Sequence, residues 1–153
     1  MKKVLIICGK LCVGGAEKVA YSIGHFADKK KYECHYIVFG DEQGEYEQSL
    51  LEEGCKIFHI QEPSKSYLKY LKTIADLINT EAYDVIHCHT MFNSGIVMLL
   101  AKLKRVPGRI THSHSICSSP NRPILKKIYE QVMRYLICSC SSDYVACGRK
   151  AGE

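Results

Sequence analysis

The chain has 153 residues, 46% hydrophobic and 24% charged, with a formal net charge of +5. This is the composition of one soluble globular domain and excludes a disordered or collagen-like chain. The longest apolar stretch, "GIVMLLA", is far short of the roughly 20 residues a membrane-spanning helix needs. "MKKVLIIC" is too short in its apolar part for a secretory signal, so a cytoplasmic setting is expected.

The run "KVLIIC" predicts a first strand over Val4–Cys8. The chain then leaves through "GKLCVGGAEKVA" into a helix, with Ala16, Val19, Ala20, Ile23, Phe26 and Ala27 as its inward stripe. A second strand follows over Cys34–Phe39, then a short helix over Glu45–Glu53 with Gly54 as its stop, then a third strand over Lys56–Ile60. Leu68, Leu71, Ile74, Ala75 and Ile78 predict the next helix and its buried face. Strand four is expected over Asp84–Cys88. The segment Ile96–Leu103 is apolar almost all round, which predicts a helix packed on both sides. Strand five is expected over Arg109–Ser113. A helix follows with Ile124, Leu125, Ile128, Tyr129, Val132 and Leu136 turned inward, and Asp143–Ala146 forms a sixth strand.

Several of these strands are apolar nearly throughout, as strands covered on both faces should be. Regular alternation of strand and helix predicts an α/β fold, a doubly wound, Rossmann-like, mostly parallel sheet with helices on both faces. Residues 1–153 form a single domain in this reading. The last residues, "CGRKAGE", begin an element that is not completed, so a longer parent protein is expected.

In an open sheet of this kind, ligands bind beyond the carboxyl ends of the strands, where the strand order reverses. The common order 3-2-1-4-5-6 brings the tips of strands one, four and five together. Strand one ends in the glycine loop Gly9–Gly15. Strand four ends in "DVIHCHT", with His87 and His89, and strand five in "RITHSHSICSS", with His112 and His114. Two-residue periodicity puts both members of each pair on one side of the sheet. His89 and His114, nearer the tips, are expected to face the crevice, with His87 and His112 deeper.

The glycine loop matches neither well-known phosphate loop. Gly9-x4-Gly14 is followed by Gly15, Ala16 and Glu17 and lacks the lysine and hydroxyl of a Walker loop, and GxGxxG is absent. What remains is a Gly14–Gly15 turn at a helix N-terminus. Such a turn permits close backbone approach to an anion, or is simply a tight turn without a ligand. Glu17, in the first helical turn, either caps the helix or accepts a hydrogen bond from a hydroxylated ligand.

Two other readings stay open on the residues alone. Paired histidines suit zinc or iron, which would make a metal-dependent hydrolase, although no acidic ligand stands near them and Asp84 belongs at the opposite end of strand four. A non-catalytic flavodoxin-like binding module is the other, although a receiver would want acidic residues where Gly9 and Lys10 stand. The nine cysteines are odd in number, scattered and without a CxxC pair, which predicts reduced, mostly buried thiols. The basic clusters Lys29–Lys31, Lys102–Arg105 and Lys126–Lys127 read as solvated faces or as attraction to anionic lipid or a phosphorylated substrate. No recognition motif for nucleic acid accompanies them, so no nucleic-acid partner is expected.

"GGAEK" after strand one, "DVIHCHT" after strand four, "RITHSHS" after strand five and "DYVACGRKAGE" at the end occur in register. Together they resemble the N-terminal half of family 4 glycosyltransferases, above all the bacterial enzymes of exopolysaccharide and capsule synthesis. The resemblance implies the GT-B architecture, two Rossmann-like domains with a cleft between them. The N-terminal domain would hold mainly the acceptor. The donor-binding domain, with its pair of glutamates, would lie outside this chain, so the isolated domain is expected to be inactive. The implied reaction is a retaining transfer from a UDP- or GDP-sugar to a glycan or lipid-linked acceptor, with no metal or other cofactor. In this resemblance Gly14 and Gly15 form the loop approaching the donor diphosphate or the acceptor, and Glu17 falls on an acidic position after it. His89 and Thr90 fall in the strand-four motif. His114, with His112 in support, stands at the reacting sugar. The loops Gln61–Ser66 and Cys117–Arg122 would shape the acceptor pocket. The helix carrying Arg122, Lys126, Lys127 and Arg134 either presents a solvated face or touches the anionic inner face of the membrane to reach a lipid-linked acceptor.

Overall fold

In the computed structural model, which describes residues 1–114 and 123–152, six parallel strands form one sheet in the order β3-β2-β1-β4-β5-β6. The strands are β1 (Lys2–Ile7), β2 (Tyr32–Phe39), β3 (Lys56–Ile60), β4 (Val85–Cys88), β5 (Gly108–Ser113) and β6 (Asp143–Ala146). Between them run α1 (Gly15–His25), α2 (Glu47–Glu52), α3 (Tyr67–Glu81), a 3₁₀ turn at Met91–Asn93, α4 (Ser94–Leu103) and α5 (Ile124–Cys140). A short α6 (Arg149–Gly152) follows β6. The order reverses between β1 and β4, as expected.

Alternation along the strands divides the core into two layers. Leu5 and Ile7 of β1, Ile37, Ile86 and Cys88 pack against Tyr70, Ile74 and Ile78 of α3 and Val97, Met98 and Ala101 of α4. On the other face Ile6, Cys8, Tyr36 and Val38 pack against Ala20 and Tyr21 of α1 and Leu50 of α2. The eight described cysteines are free, and five of them are buried. No helix among the described residues is long and apolar enough to cross a membrane.

Three of the expected inward residues or stripes point elsewhere. Phe26 is 79% exposed, because α1 ends at His25 and Phe26 follows its last turn. Leu68 is 81% exposed. The α3 helix begins at Tyr67, capped by Ser66 Oγ, which accepts a hydrogen bond from the Lys69 amide. The row facing the sheet is therefore Tyr70, Ile74 and Ile78, at helical i, i+4 spacing. On α5 the expected stripe is largely in solvent: Ile124, Leu125, Ile128, Tyr129 and Val132 are all exposed. Met133 and Cys140 are the buried residues of this helix. They lie one heptad apart on the row that presses against α4. A Cβ on Gly95 of α4 would stand 2.6 Å from the Met133 carbonyl oxygen, so the two backbones meet where glycine leaves room. This contact covers the second side of α4, as its all-round apolar sequence predicts.

One buried carboxylate is secured by a histidine outside the crevice. Glu47, 2% exposed, accepts a hydrogen bond from the Gly44 amide at 2.9 Å, and its other oxygen lies 2.8 Å from His59 Nε2. His59 Nδ1 lies 2.8 Å from the Gly40 carbonyl. Both ring nitrogens thus face acceptors, which only the imidazolium satisfies. Burial opposes that charge, but the Gly40 carbonyl and the Glu47 carboxylate outweigh it, and the His59 pKa is raised above 6.5. The stability from this pair is full below the unfolded value and is lost as pH rises through the folded one. Urea midpoints measured from about pH 6 to about pH 9 should therefore fall less steeply in His59→Gln than in the unaltered protein.

Candidate functional site

The loop after β1 is placed by its own backbone. Leu11 is fully buried, and its carbonyl accepts a hydrogen bond from the Tyr46 amide at 2.9 Å. The Phe39 amide donates to the Gly9 carbonyl at 2.8 Å, tying the loop to the end of β2. Helix α1 then starts, with Lys18 N–H donating to the Gly14 carbonyl at 2.8 Å. Gly14 is extended, and no side-chain hydrogen bond caps the helix, so Glu17 is free of the capping role. A Cβ on Gly9 or Gly15 would meet nothing within 4 Å. On Gly14 it would meet only the mobile end of Glu17. Open space stands where side chains would otherwise be.

Beside this loop the four histidines of β4 and β5 form one block of rings. Parallel pairing sets Ile6 opposite His87 and Cys88 opposite Thr111, so the alternate residues of both strands face the same side. Ring centroids are 4.4 Å apart for His87–His89, 4.8 Å for His89–His112 and 4.2 Å for His112–His114. His89 Nδ1 lies 2.7 Å from His114 Nε2. Cys147, just past β6, places Sγ 3.0 Å from His114 Nδ1 and 3.6 Å from His112 Nε2. A thiol that donates to His114 Nδ1 leaves the proton of that ring on Nε2, where it donates to His89 Nδ1. His87 Nε2, His89 Nε2 and His112 Nδ1 are buried without a hydrogen-bond partner among the described residues.

Burial keeps the block neutral. It pushes His87 and His112 down to about 4 and His89 down to about 2, with charge on neighbouring imidazoles adding to the effect. For His114 burial also wins, but the Glu17 carboxylate opposes it. That interaction joins the glycine-loop helix to the tip of β5.

The expected residues do gather, with one rearrangement. His114 is the half-buried imidazole at the tip. His89, expected in the crevice, is 7% exposed and lies beneath the rings of His112 and His114. The Thr90 hydroxyl turns to Cys88 Sγ at 3.1 Å and Ser94 Oγ at 3.4 Å. Asp84 sits at the far end of β4, bonded to the Lys3 amide at 2.8 Å. Cys147 was not among the expected residues. The signal for it is β5–β6 pairing: Ser113 opposes Ala146, so the residues after them, His114 and Cys147, become neighbours.

Two cavities open here, one at the glycine loop and one at the block. One, of about 460 Å³, is lined by Gly9, Lys10, Cys12, Glu17, Phe39 and Glu62. Pro63 and Ser64 also line it, so part of the expected Gln61–Ser66 loop borders the site. The other, of about 780 Å³, lies at the ends of β5 and β6, with His112, Phe92, Arg134 and Tyr144 in its wall. The loop Cys117–Arg122 lies outside the described residues.

The profile of Glycosyltransferase Family 4 matches residues 13–151. The chain belongs to this family. It is 26% identical over 154 residues to the putative glycosyltransferase EpsF of Bacillus subtilis (strain 168), covering 99% of the chain and 40% of that relative. It is 29% identical over 113 residues to the capsular polysaccharide biosynthesis glycosyltransferase CapH of Staphylococcus aureus, covering 73% of the chain and 30% of CapH. Among solved structures, Anabaena HepE in complex with UDP superposes with a TM-score of 0.68 at 19% identity, over 99% of the chain and 39% of HepE. The family 4 chain thus spans about two fifths of EpsF and of HepE, with the Rossmann-like fold of a GT-B domain. Membership in this family lends no support to the hydrolase or the flavodoxin-like module.

If Glu17 and His114 share one site, removing the carboxylate removes what holds the imidazole pKa up. Glu17→Gln should shift the NMR titration of the His114 ring to lower pH, and an unmoved titration would separate the loop from the tip of β5.

Proposed function

We propose that this chain is the acceptor-side domain of a retaining glycosyltransferase. It moves a sugar from a UDP- or GDP-sugar to a glycan or lipid-linked acceptor of a cell-surface polysaccharide. The observation that carries this reading is the meeting of unobstructed glycine backbone, Glu17 and a neutral imidazole block at the switch between β1 and β4. The UDP complex of HepE and the roles named for EpsF and CapH support the substrate class.

Each part has a task in such a transfer. The largest charge to be stabilised is that of the leaving diphosphate. Backbone N–H groups at the start of α1 can meet it without a cation, since the positions above Gly9 and Gly15 are open. No metal is needed in this scheme. A neutral His114 can accept from a sugar hydroxyl at Nδ1 in place of the Cys147 thiol, and its pairing with His89 through Nε2 fixes the ring. His112, stacked on His114, holds it from below. Glu17 accepts a hydrogen bond from a sugar hydroxyl. Turnover in this reading also requires a donor-binding half, and the chain spans about two fifths of EpsF and of HepE.

The exposed face of α5 suits a membrane-bound acceptor. Ile124 is 74% and Leu125 78% exposed, and both Lys126 and Lys127 beside them are exposed. Apolar side chains flanked by lysines fit peripheral contact with an anionic inner leaflet. Co-sedimentation with liposomes should rise with anionic lipid content and drop in the double variant Lys126→Glu, Lys127→Glu. Binding indifferent to lipid charge would remove the membrane role.

In the full-length protein, His114→Ala should lower transfer by about a hundredfold or more, the scale on which positioned proton-transfer groups act. The urea midpoint should stay close to that of the unaltered protein, because His114 is only half-buried. Undiminished transfer would refute the site.

A further inference from the structure

The imidazole block offers more than hydrogen bonds to a sugar. His112 Nε2, His114 Nδ1 and Cys147 Sγ converge from the adjacent ends of β5 and β6. The sulfur lies 3.6 Å and 3.0 Å from the two nitrogens. Ligand atoms around a tetrahedral zinc, with Zn–S near 2.3 Å and Zn–N near 2.0–2.1 Å, stand about 3.5 Å apart. The sulfur is therefore already close to ligand spacing from both nitrogens. We propose that His112, His114 and Cys147 form a binding site for a zinc-like transition-metal ion, with a fourth position open to water or a ligand.

Four features of the site agree with this. The ligand set, two imidazoles and a thiolate, is the borderline-soft set that zinc prefers. Burial keeps the imidazoles unprotonated, the form that binds metal. His114 presents Nδ1 to the ion while Nε2 is held 2.7 Å from His89 Nδ1. A partner on the other ring nitrogen is the usual arrangement for a metal-ligating histidine. Cys147 is exposed and His114 half-buried, so an ion has a way in from solvent. The deeper trio of His87, His89 and His112 is also compact, but it brings no anionic ligand to offset a divalent charge.

Such an ion is distinct from the transfer chemistry, which uses no metal. On the reading that His114 serves the reacting sugar through Nδ1, a bound ion takes that nitrogen and opposes the sugar, so the ion would act as an inhibitor.

Cobalt(II) is the probe, because its spectrum reports coordination whether or not any sugar is transferred. Titrated into the reduced, purified protein, Co²⁺ should give intense visible bands of tetrahedral geometry and a near-ultraviolet sulfur-to-cobalt charge-transfer band. Both should saturate at one ion per chain and vanish when Zn²⁺ is added. Cys147→Ser, a change at an exposed position, should abolish the charge-transfer band and weaken cobalt binding at least tenfold. Cys138→Ser, at another exposed thiol, should leave both intact. Absence of the charge-transfer band in the unaltered protein, or its survival in Cys147→Ser, would overturn the assignment.

Discussion

The site depends on parallel pairing of β1, β4 and β5 in one register. Because side chains alternate along a strand, fixing Ile6 opposite His87 and Cys88 opposite Thr111 decides the side taken by all four histidines at once. A one-residue slip of β5 would send His112 and His114 into the layer occupied by Val97 and Met98, and no block would form. The same pairing carries the His89 amide to the Ile7 carbonyl at 2.8 Å, so β4 stays bonded to β1 up to the histidine itself. Position and chemistry are thus set by the sheet, with little left to the loops.

Burial then decides the protonation state. Four rings within about one stacking distance of each other cannot hold several positive charges in a poorly solvated place. They remain neutral, and each offers one donor and one acceptor. This is a different instrument from His59, which is pushed the opposite way because both of its nitrogens meet acceptors. Two histidine environments in one small domain therefore end on opposite sides of the ordinary imidazole value for reasons visible in their partners.

What the sequence could reveal follows the same division. Strands and their order were legible, since short apolar runs separated by helical patterns admit few topologies, and the tips of β1, β4 and β5 did meet. The faces of helices were less so. Periodicity on α5 marks an apolar row at Ile124, Leu125, Ile128 and Val132 but does not say what covers it, and the packing contact falls instead on Met133 at Gly95. His89 was placed on the correct side of the sheet but at the wrong depth, because depth depends on the ring of His114 lying over it. Cys147 escaped because nothing in a single strand shows it. Its role exists only through the pairing of Ser113 with Ala146.

The cost of the imidazole block argues that it is there for a ligand. On the same face of the sheet, β1 and β2 present Ile6, Cys8, Tyr36 and Val38. Apolar residues of that kind on β4 and β5 would bury well and leave no polar atom wanting. The chain instead carries three ring nitrogens buried without partners, a loss of about 1–3 kcal/mol for each such group. Sequences usually break the rule that buried polar groups are paired where function requires it. The loop next to the block breaks a second rule in the same direction, with glycines at positions 9 and 15 where the backbone has room for a side chain. Two independent departures from what folding alone would favour meet at one point, and Glu17 acts on His114 across it. Both departures fall at the switch point of the sheet, the place where folds of this kind bind their ligands.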